Sequence, residues 1–224
     1  AWAIKRWPYL KTRCSHPPYD RLMPTPLIFT TQRKQLVERQ VTPTLIEPTP
    51  DGVFIDFGLA AFGALVIRGE KLPGRASVIV HLGEKRTADG RIDRSPGGTI
   101  RYRRIEQPID PQAETCRVVI PPDERNTGPA AIHMPPDIGE VFPFRYAEIE
   151  GVFELSPEDV WQVAVQCPFD DQAATFESSS PILDQVWQLC KHTIKATTFC
   201  GVYVDGDRER IPYEADSYIN QLCH

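Results

Sequence analysis

The sequence predicts a mixed fold, an antiparallel β-sandwich followed by helices, and two patterns along the chain carry that reading. From Gly52 to about Phe169, short runs rich in Val, Ile and Phe recur between glycines and prolines, as expected of strands. After Asp171 the apolar spacing changes from period 2 to period 3.6, which marks helix. Proline agrees with the first pattern: its 22 residues gather in HPPYD, PTPLIF, EPTPDG, VIPPDE and HMPPDI, favouring strands and ordered loops over long helices.

Residues 1–50 alternate proline-rich stretches with the polar run TTQRKQLVERQ and show no clear period; they read as a linker or edge segment. The sandwich is expected over residues 51–172. Its strands are GVFIDFG, FGALVIRG, RASVIVHLGE, TIRYRRIEQPI, TCRVVIPP, FRYAEIEGVFEL and VWQVAVQCPF, spaced as in a sandwich. In RYAEIEG, Tyr146, Glu148 and Glu150 alternate with Ala147, Ile149 and Gly151, which predicts one wet face. Residues 173–224 form the helical part. Ser180 is placed as the N-cap with Pro181 in the first turn, and Ile182, Leu183, Val186, Trp187, Cys190 and Ile194 make an apolar stripe ending near Thr197. Trp187 and Trp161 are expected in the core. TFCGVYVDGDRERIP reads as a linker, and a second helix is expected from Tyr213 or Glu214.

Composition removes several classes of function. A net charge of −5, from 30 acidic against 25 basic residues with no basic run, offers no attraction to nucleic acid or an anionic membrane. No run of 18 apolar residues is present to span a bilayer. The six cysteines form no CxxC pair, so they read as scattered buried thiols, with no zinc ribbon or redox motif. The chain opens on Ala1 without the apolar core of a signal peptide and closes on QLCH inside a helical pattern. Both ends therefore read as cuts, and localisation stays open.

Chemistry concentrates in VDGDRERIPYEAD, where Asp205, Asp207, Glu209, Glu214 and Asp216 accompany Arg208 and Arg210. A solvated turn between helices would explain the charges alone, but Val204, Ile211, Tyr213 and Ile219 are interleaved with them, so part of the segment must be covered. Carboxylates held together and partly desolvated have their pKa values driven apart, as hydrolysis of a glycosidic bond requires. The order also fits calcium-loop ligands at Asp205, Asp207, Glu209 and Asp216, but Arg210 stands where the turn needs glycine. Neither a nucleophile elbow nor HExxH is present, which leaves a protease without support.

At this segment the sequence resembles the inverting α-L-rhamnosidases of glycoside hydrolase family 78, whose signature is an aspartate, an Arg-Glu-Arg or Arg-Asp-Glu-Arg core, an aromatic and an aspartate. The resemblance takes in FESSSPILDQVWQLCKHTIKATTFCGVYVDGD as the start of an (α/α)6 six-hairpin barrel, truncated here. It takes in GVFIDFGLAAFGALVIRGE and FRYAEIEGV as the preceding sandwich, so that it covers residues 52–224. It implies Glu209 as general acid and Asp205 and Asp216 as substrate-binding residues. Asp207 rivals Asp205, because the first aspartate sits closer to the glutamate than in the common form, and Arg208 and Tyr213 join the sugar site. Ile211-Pro212-Tyr213-Glu214-Ala215 replaces the common Leu-Gly-Trp-Thr-Gly. The family's general base lies further along the barrel than this chain reaches, so the chain alone is expected to be inactive. The implied partner is a rhamnose-containing oligosaccharide or glycoside, and no cofactor or metal is implied. Two other readings stay open: a non-catalytic carbohydrate-binding β-sandwich, and a six-hairpin glycosidase acting on a different sugar.

Overall fold

The computed structural model describes residues 36–224 apart from Pro73, Cys200, Gly201 and His224. The opening proline-rich stretches therefore lie outside the described residues. Eight strands form one antiparallel sheet: β1 (Val37–Val41), β2 (Leu45–Thr49), β3 (Gly52–Arg68), β4 (Ser77–Gly83), β5 (Tyr102–Pro108), β6 (Thr115–Arg117), β7 (Phe142–Glu150) and β8 (Val160–Gln166). The order is β1-β8-β3-β7-β4-β5, with β2 and β6 also paired to β3. One apolar cluster draws on Ile67 of β3, Val80 and Leu82 of β4, Ile105 of β5 and Val160 of β8. The sheet thus folds over a shared core, and its two ends cover one another as the layers of a sandwich do.

GVFIDFG and FGALVIRG, two runs in the sequence, are one strand. Gly58 takes φ +84° and the register against β7 shifts between Asp56 and Ala61, so the glycine bends β3 without ending it. The bulge is held by polar bonds. Asp56 accepts the Gly58 N–H at 2.7 Å and both arms of the Arg145 guanidinium at 2.8 and 2.9 Å. Fully buried Gln162 donates to the carbonyls of Ala61 and Phe144, which face each other where the register resumes.

Gly63 lies between β7 and β8, paired to Phe142 on one side and Ala164 on the other. A Cβ there would stand 2.2 Å from the Val163 carbonyl oxygen, so backbone would have to move. Gly63→Ala is expected to destabilise the fold by about 1–3 kcal/mol, read as a lower urea midpoint; an unchanged midpoint would mean that the strands separate at little cost.

The alternation in β7 holds only in part. Ala147 and Ile149 are buried as expected, but Glu148 is buried too, at 2% exposure. The segment after β4 covers this face: Arg91 grips Glu148 with two bonds of 2.9 Å, Arg94 adds one of 3.1 Å and the Ile92 N–H one of 2.8 Å. Burial alone would raise the Glu148 carboxyl, yet these bonds hold it below the ordinary glutamate value. A charge enters the core because four donors meet it.

Helix α1 (Pro181–Thr197) starts at the predicted place, although Ser180 caps it through its carbonyl and not its hydroxyl. The Asp184 carboxylate in the first turn reaches back and accepts the Ser178 main-chain N–H at 2.9 Å. None of the residues of α1 is buried. The expected stripe is uncovered, with Ile182 70% and Val186 49% exposed, and Cys190 is exposed as well. Trp187 is half-buried against Phe176, and Trp161 on β8 is half-buried, so neither is a core residue among the described residues. The helix instead meets the sandwich through its other side. His192 Nε2 contacts the Ala60 carbonyl in the β3 bulge at 2.6 Å, and Lys195 pairs with Asp171 at 2.9 Å. Among the described residues no helix is long and apolar enough to cross a membrane.

Candidate active site

The segment after α1 is more structured than a linker. Strands β9 (Thr198–Phe199) and β10 (Val202–Tyr203) pair as a short hairpin, and α2 (Glu214–Cys223) follows. Fully buried Phe199 meets Phe62 of the β3 bulge edge to face at 5.0 Å, and Val204 joins the same apolar cluster with Val141 and Val165. The bend in β3 thereby seats both α1 and the hairpin. The acidic loop, residues 205–213, hangs between that cluster and α2.

From Val204 to Arg210 every third residue is buried, and those between have the opposite fate. Asp207 is 6% exposed and Arg210 1%. Arg210 donates through Nε and Nη2 to Asp207 Oδ1 at 3.1 and 2.9 Å, through Nη1 to Glu140 at 2.8 Å, and through Nη2 to the Val141 carbonyl at 2.8 Å. Its φ of +54° is the single positive value at a non-glycine among the described residues, a conformation that costs an L-residue about 1–2 kcal/mol. From the sandwich, Arg101 Nη2 lies 3.2 Å from Asp207 Oδ2, and Asn126 donates to Asp207 Oδ1 at 3.0 Å. Asp207 thus has its carboxylate committed inside the protein.

Arg208 and Glu209 point the other way. The Glu209 side chain is 33% exposed and that of Arg208 55%, and they pair at 3.2 Å. Tyr213, itself exposed, donates its hydroxyl to Glu209 Oε2 at 2.5 Å, and that bond to a carboxylate raises the phenol pKa above its ordinary value. Asp205 closes the base of the loop: Oδ1 accepts the Ile211 N–H at 3.3 Å, and Oδ2 lies 3.5 Å from Arg208. Asp216 is exposed in the first turn of α2. Asp205, Arg208, Glu209 and Tyr213 are therefore brought together, with Asp216 one helical turn beyond Tyr213.

A cavity of about 560 Å³ adjoins the loop, lined by Asp205, Asp207 and Arg208, by Glu84, Thr99 and Arg101 of the sandwich, and by His192 and Thr193 of α1. Its volume is that of a small-molecule site. Burial pushes the Glu84 carboxyl up, and neighbouring Asp207 adds to the rise. Burial likewise raises Asp207 against the pull of Arg210 and Arg101. Asp123, bonded to Arg125 and close to Arg101, is held far below the carboxylate range. Shifts of opposite sign thus fall on Asp207 and on two sandwich residues, Glu84 and Asp123, that the sequence does not single out. Glu84, Arg101, Asp123 and Asn126 carry no local signal, since each belongs to the site only through pairing of distant strands. Among the described residues no three His, Cys, Asp or Glu side chains are grouped to hold a metal, so the calcium-like order of the loop does not become a ligand cluster.

Residues 171–224 match the family model of the bacterial alpha-L-rhamnosidase 6 hairpin glycosidase domain. Over those residues the chain is similar to that domain. The match begins where the period changes, and it contains the whole of α1, the hairpin, the acidic loop and α2. Solved α-L-rhamnosidases share the fold of much of the chain. That of Aspergillus terreus aligns over 78% of this chain at TM-score 0.52 and 14% identity. That of Dictyoglumus thermophilum aligns over 82% at TM-score 0.54 and 16% identity. The chain spans 18% and 19% of those two structures, and its own fold is a β-sandwich followed by the first helices of a barrel. No curated protein sequence matches it.

Proposed function

We propose that the complete protein hydrolyses terminal α-L-rhamnosides with inversion, and that Glu209 is the proton donor to the departing oxygen. The observation that carries this reading is the division of labour within the loop, where Asp207 and Arg210 are buried and paired while Glu209 between them stays accessible and hydrogen-bonded. A general acid has to be fixed in place and still reach its substrate. The match of residues 171–224 to a glycosidase family favours this over a non-catalytic binding module. Inversion needs a second carboxylate about 6.5–9.5 Å away, with room for a water between it and the sugar. No carboxylate of this chain is assigned that role.

Asp205, Asp216, Arg208 and Tyr213 are proposed to bind the sugar. Carboxylates accept hydroxyl hydrogen bonds strongly, and the exposed guanidinium of Arg208 is within reach of an entering ligand. Asp207 is given a different role, since its partners are protein groups. Three carboxylates, Glu84, Asp205 and Asp207, face two cations in the cavity wall, a balance suited to a neutral sugar and not to an anionic one. Asp205→Asn in the complete protein is expected to raise KM for an aryl rhamnoside about tenfold or more with a smaller change in kcat. Steady-state kinetics decide this, and unchanged KM and kcat would remove Asp205 from the sugar site.

A further inference from the structure

We infer that the sandwich positions the general acid, with Arg101 and Asn126 gripping Asp207 from outside the helical domain. The inference rests on the reading of Glu209 as proton donor, and it makes these two sandwich residues positioning residues for that reaction. Arg101, 5% exposed, stands immediately before β5. Its Nη1 donates to the Asp207 main-chain carbonyl at 3.3 Å, while Nη2 donates to Asp123 at 2.6 Å and lies 3.2 Å from Asp207 Oδ2. Asn126, 2% exposed, donates one amide to the same carbonyl at 3.1 Å and to Oδ1 at 3.0 Å. One residue of the loop is thus held by backbone and side chain together, from positions 106 and 81 residues away.

The opposite end of the tip is held by the same layer. Arg210 reaches Glu140 and the Val141 carbonyl, both just before β7, and the Ile132 N–H bonds the Arg210 carbonyl at 2.9 Å. Arg208 and Glu209 are therefore the two residues between a pair of clamps. Neither is buried, so they have little packing of their own to fix them. A carboxyl displaced by about 1 Å from its leaving oxygen can lose on the order of 10²-fold in rate. The clamp supplies what the exposed tip lacks.

The test is made in the complete protein with Arg101→Ala, Arg101→Lys and Asn126→Ala, comparing an alkyl or disaccharide rhamnoside with a nitrophenyl rhamnoside. A misplaced acid hurts poor leaving groups most, because good ones depart without a proton. Arg101→Ala is expected to lower kcat on the poor leaving group by about 10²-fold with a much smaller fall on the nitrophenyl substrate and little change in KM. Arg101→Lys should recover part of the loss. Asn126→Ala, which leaves every charge in place, should shift the ratio of the two substrates the same way by roughly fivefold to tenfold, and it decides the matter should Arg101→Ala not fold. Equal losses on both substrates would reduce Arg101 and Asn126 to structural residues and overturn the inference. Amide exchange gives an arm without substrate: residues 205–211 should exchange faster in the variants while Val80 and Leu82 stay protected. Unchanged exchange in the loop overturns positioning. A wild-type protein that cleaves no rhamnoside sinks the assignment of Glu209 instead, and exchange then still decides whether the sandwich holds the loop.

Discussion

Glu209→Gln in the complete protein is expected to slow hydrolysis of rhamnosides with alkyl or sugar leaving groups by about 10²–10⁴-fold, while a nitrophenyl rhamnoside suffers much less. The amide keeps the size of the side chain and removes the proton. It also retains an acceptor for the Tyr213 hydroxyl, which now bonds Glu209 Oε2, so the loop need not rearrange. The sign of the pH effect follows from the role. A general acid works in its protonated form, so activity that depends on it falls as pH rises, and removing the acid flattens the basic limb and spares the acidic one. Rate profiles on the two substrate types decide the point. Equal losses on both, with an unaltered profile, would make Glu209 a binding or structural residue and send the search for the donor to Glu214 or elsewhere.

Arg210→Ala carries the largest expected effect on stability. The guanidinium is fully buried and meets two carboxylates and a carbonyl, and it lies 5.8 Å from the Phe199 ring. Its removal leaves Asp207 buried with only part of its compensation, for which the cost is about 3–5 kcal/mol. Arg210→Gly should recover about 1 kcal/mol of that, since glycine adopts φ near +54° without a Cβ clash. Urea unfolding of the two variants beside the parent chain reads both numbers. A loss below about 1 kcal/mol for the alanine variant would mean that the network is balanced by its own desolvation, and glycine no better than alanine would mean that the backbone relaxes.

This pair of arginines marks the boundary of what local sequence can say. Arg208 and Arg210 flank the same glutamate and look alike in the string, yet one side chain is 55% exposed and the other 1%. The difference comes from Glu140 and the Val141 carbonyl, which strand pairing delivers to Arg210 alone. Asp205 and Asp207 are rivals by spacing for the same reason. Arg101 and Asn126 of the sandwich, together with Arg210, commit Asp207 to the interior.

Local pattern by itself determined the strand-rich half, both helices, the period change near Asp171, and the acidic loop with its glutamate, because each is written in spacing, capping and turn residues within a few positions. The helix starts at Pro181 and Glu214 are of that kind. Three things were left to the tertiary structure. The glycine at 58 reads as a break, but Asp56, Arg145 and Gln162 hold the strand together across the bend. The face of β7 reads as wet, but Arg91 and Arg94 cover Glu148. The loop reads as a lone catalytic motif, but the sandwich supplies its clamps. In each case a charge or a backbone break is unfavourable where local pattern places it, and it becomes stable through partners between about 20 and 110 residues away, whose arrival depends on the whole sheet closing.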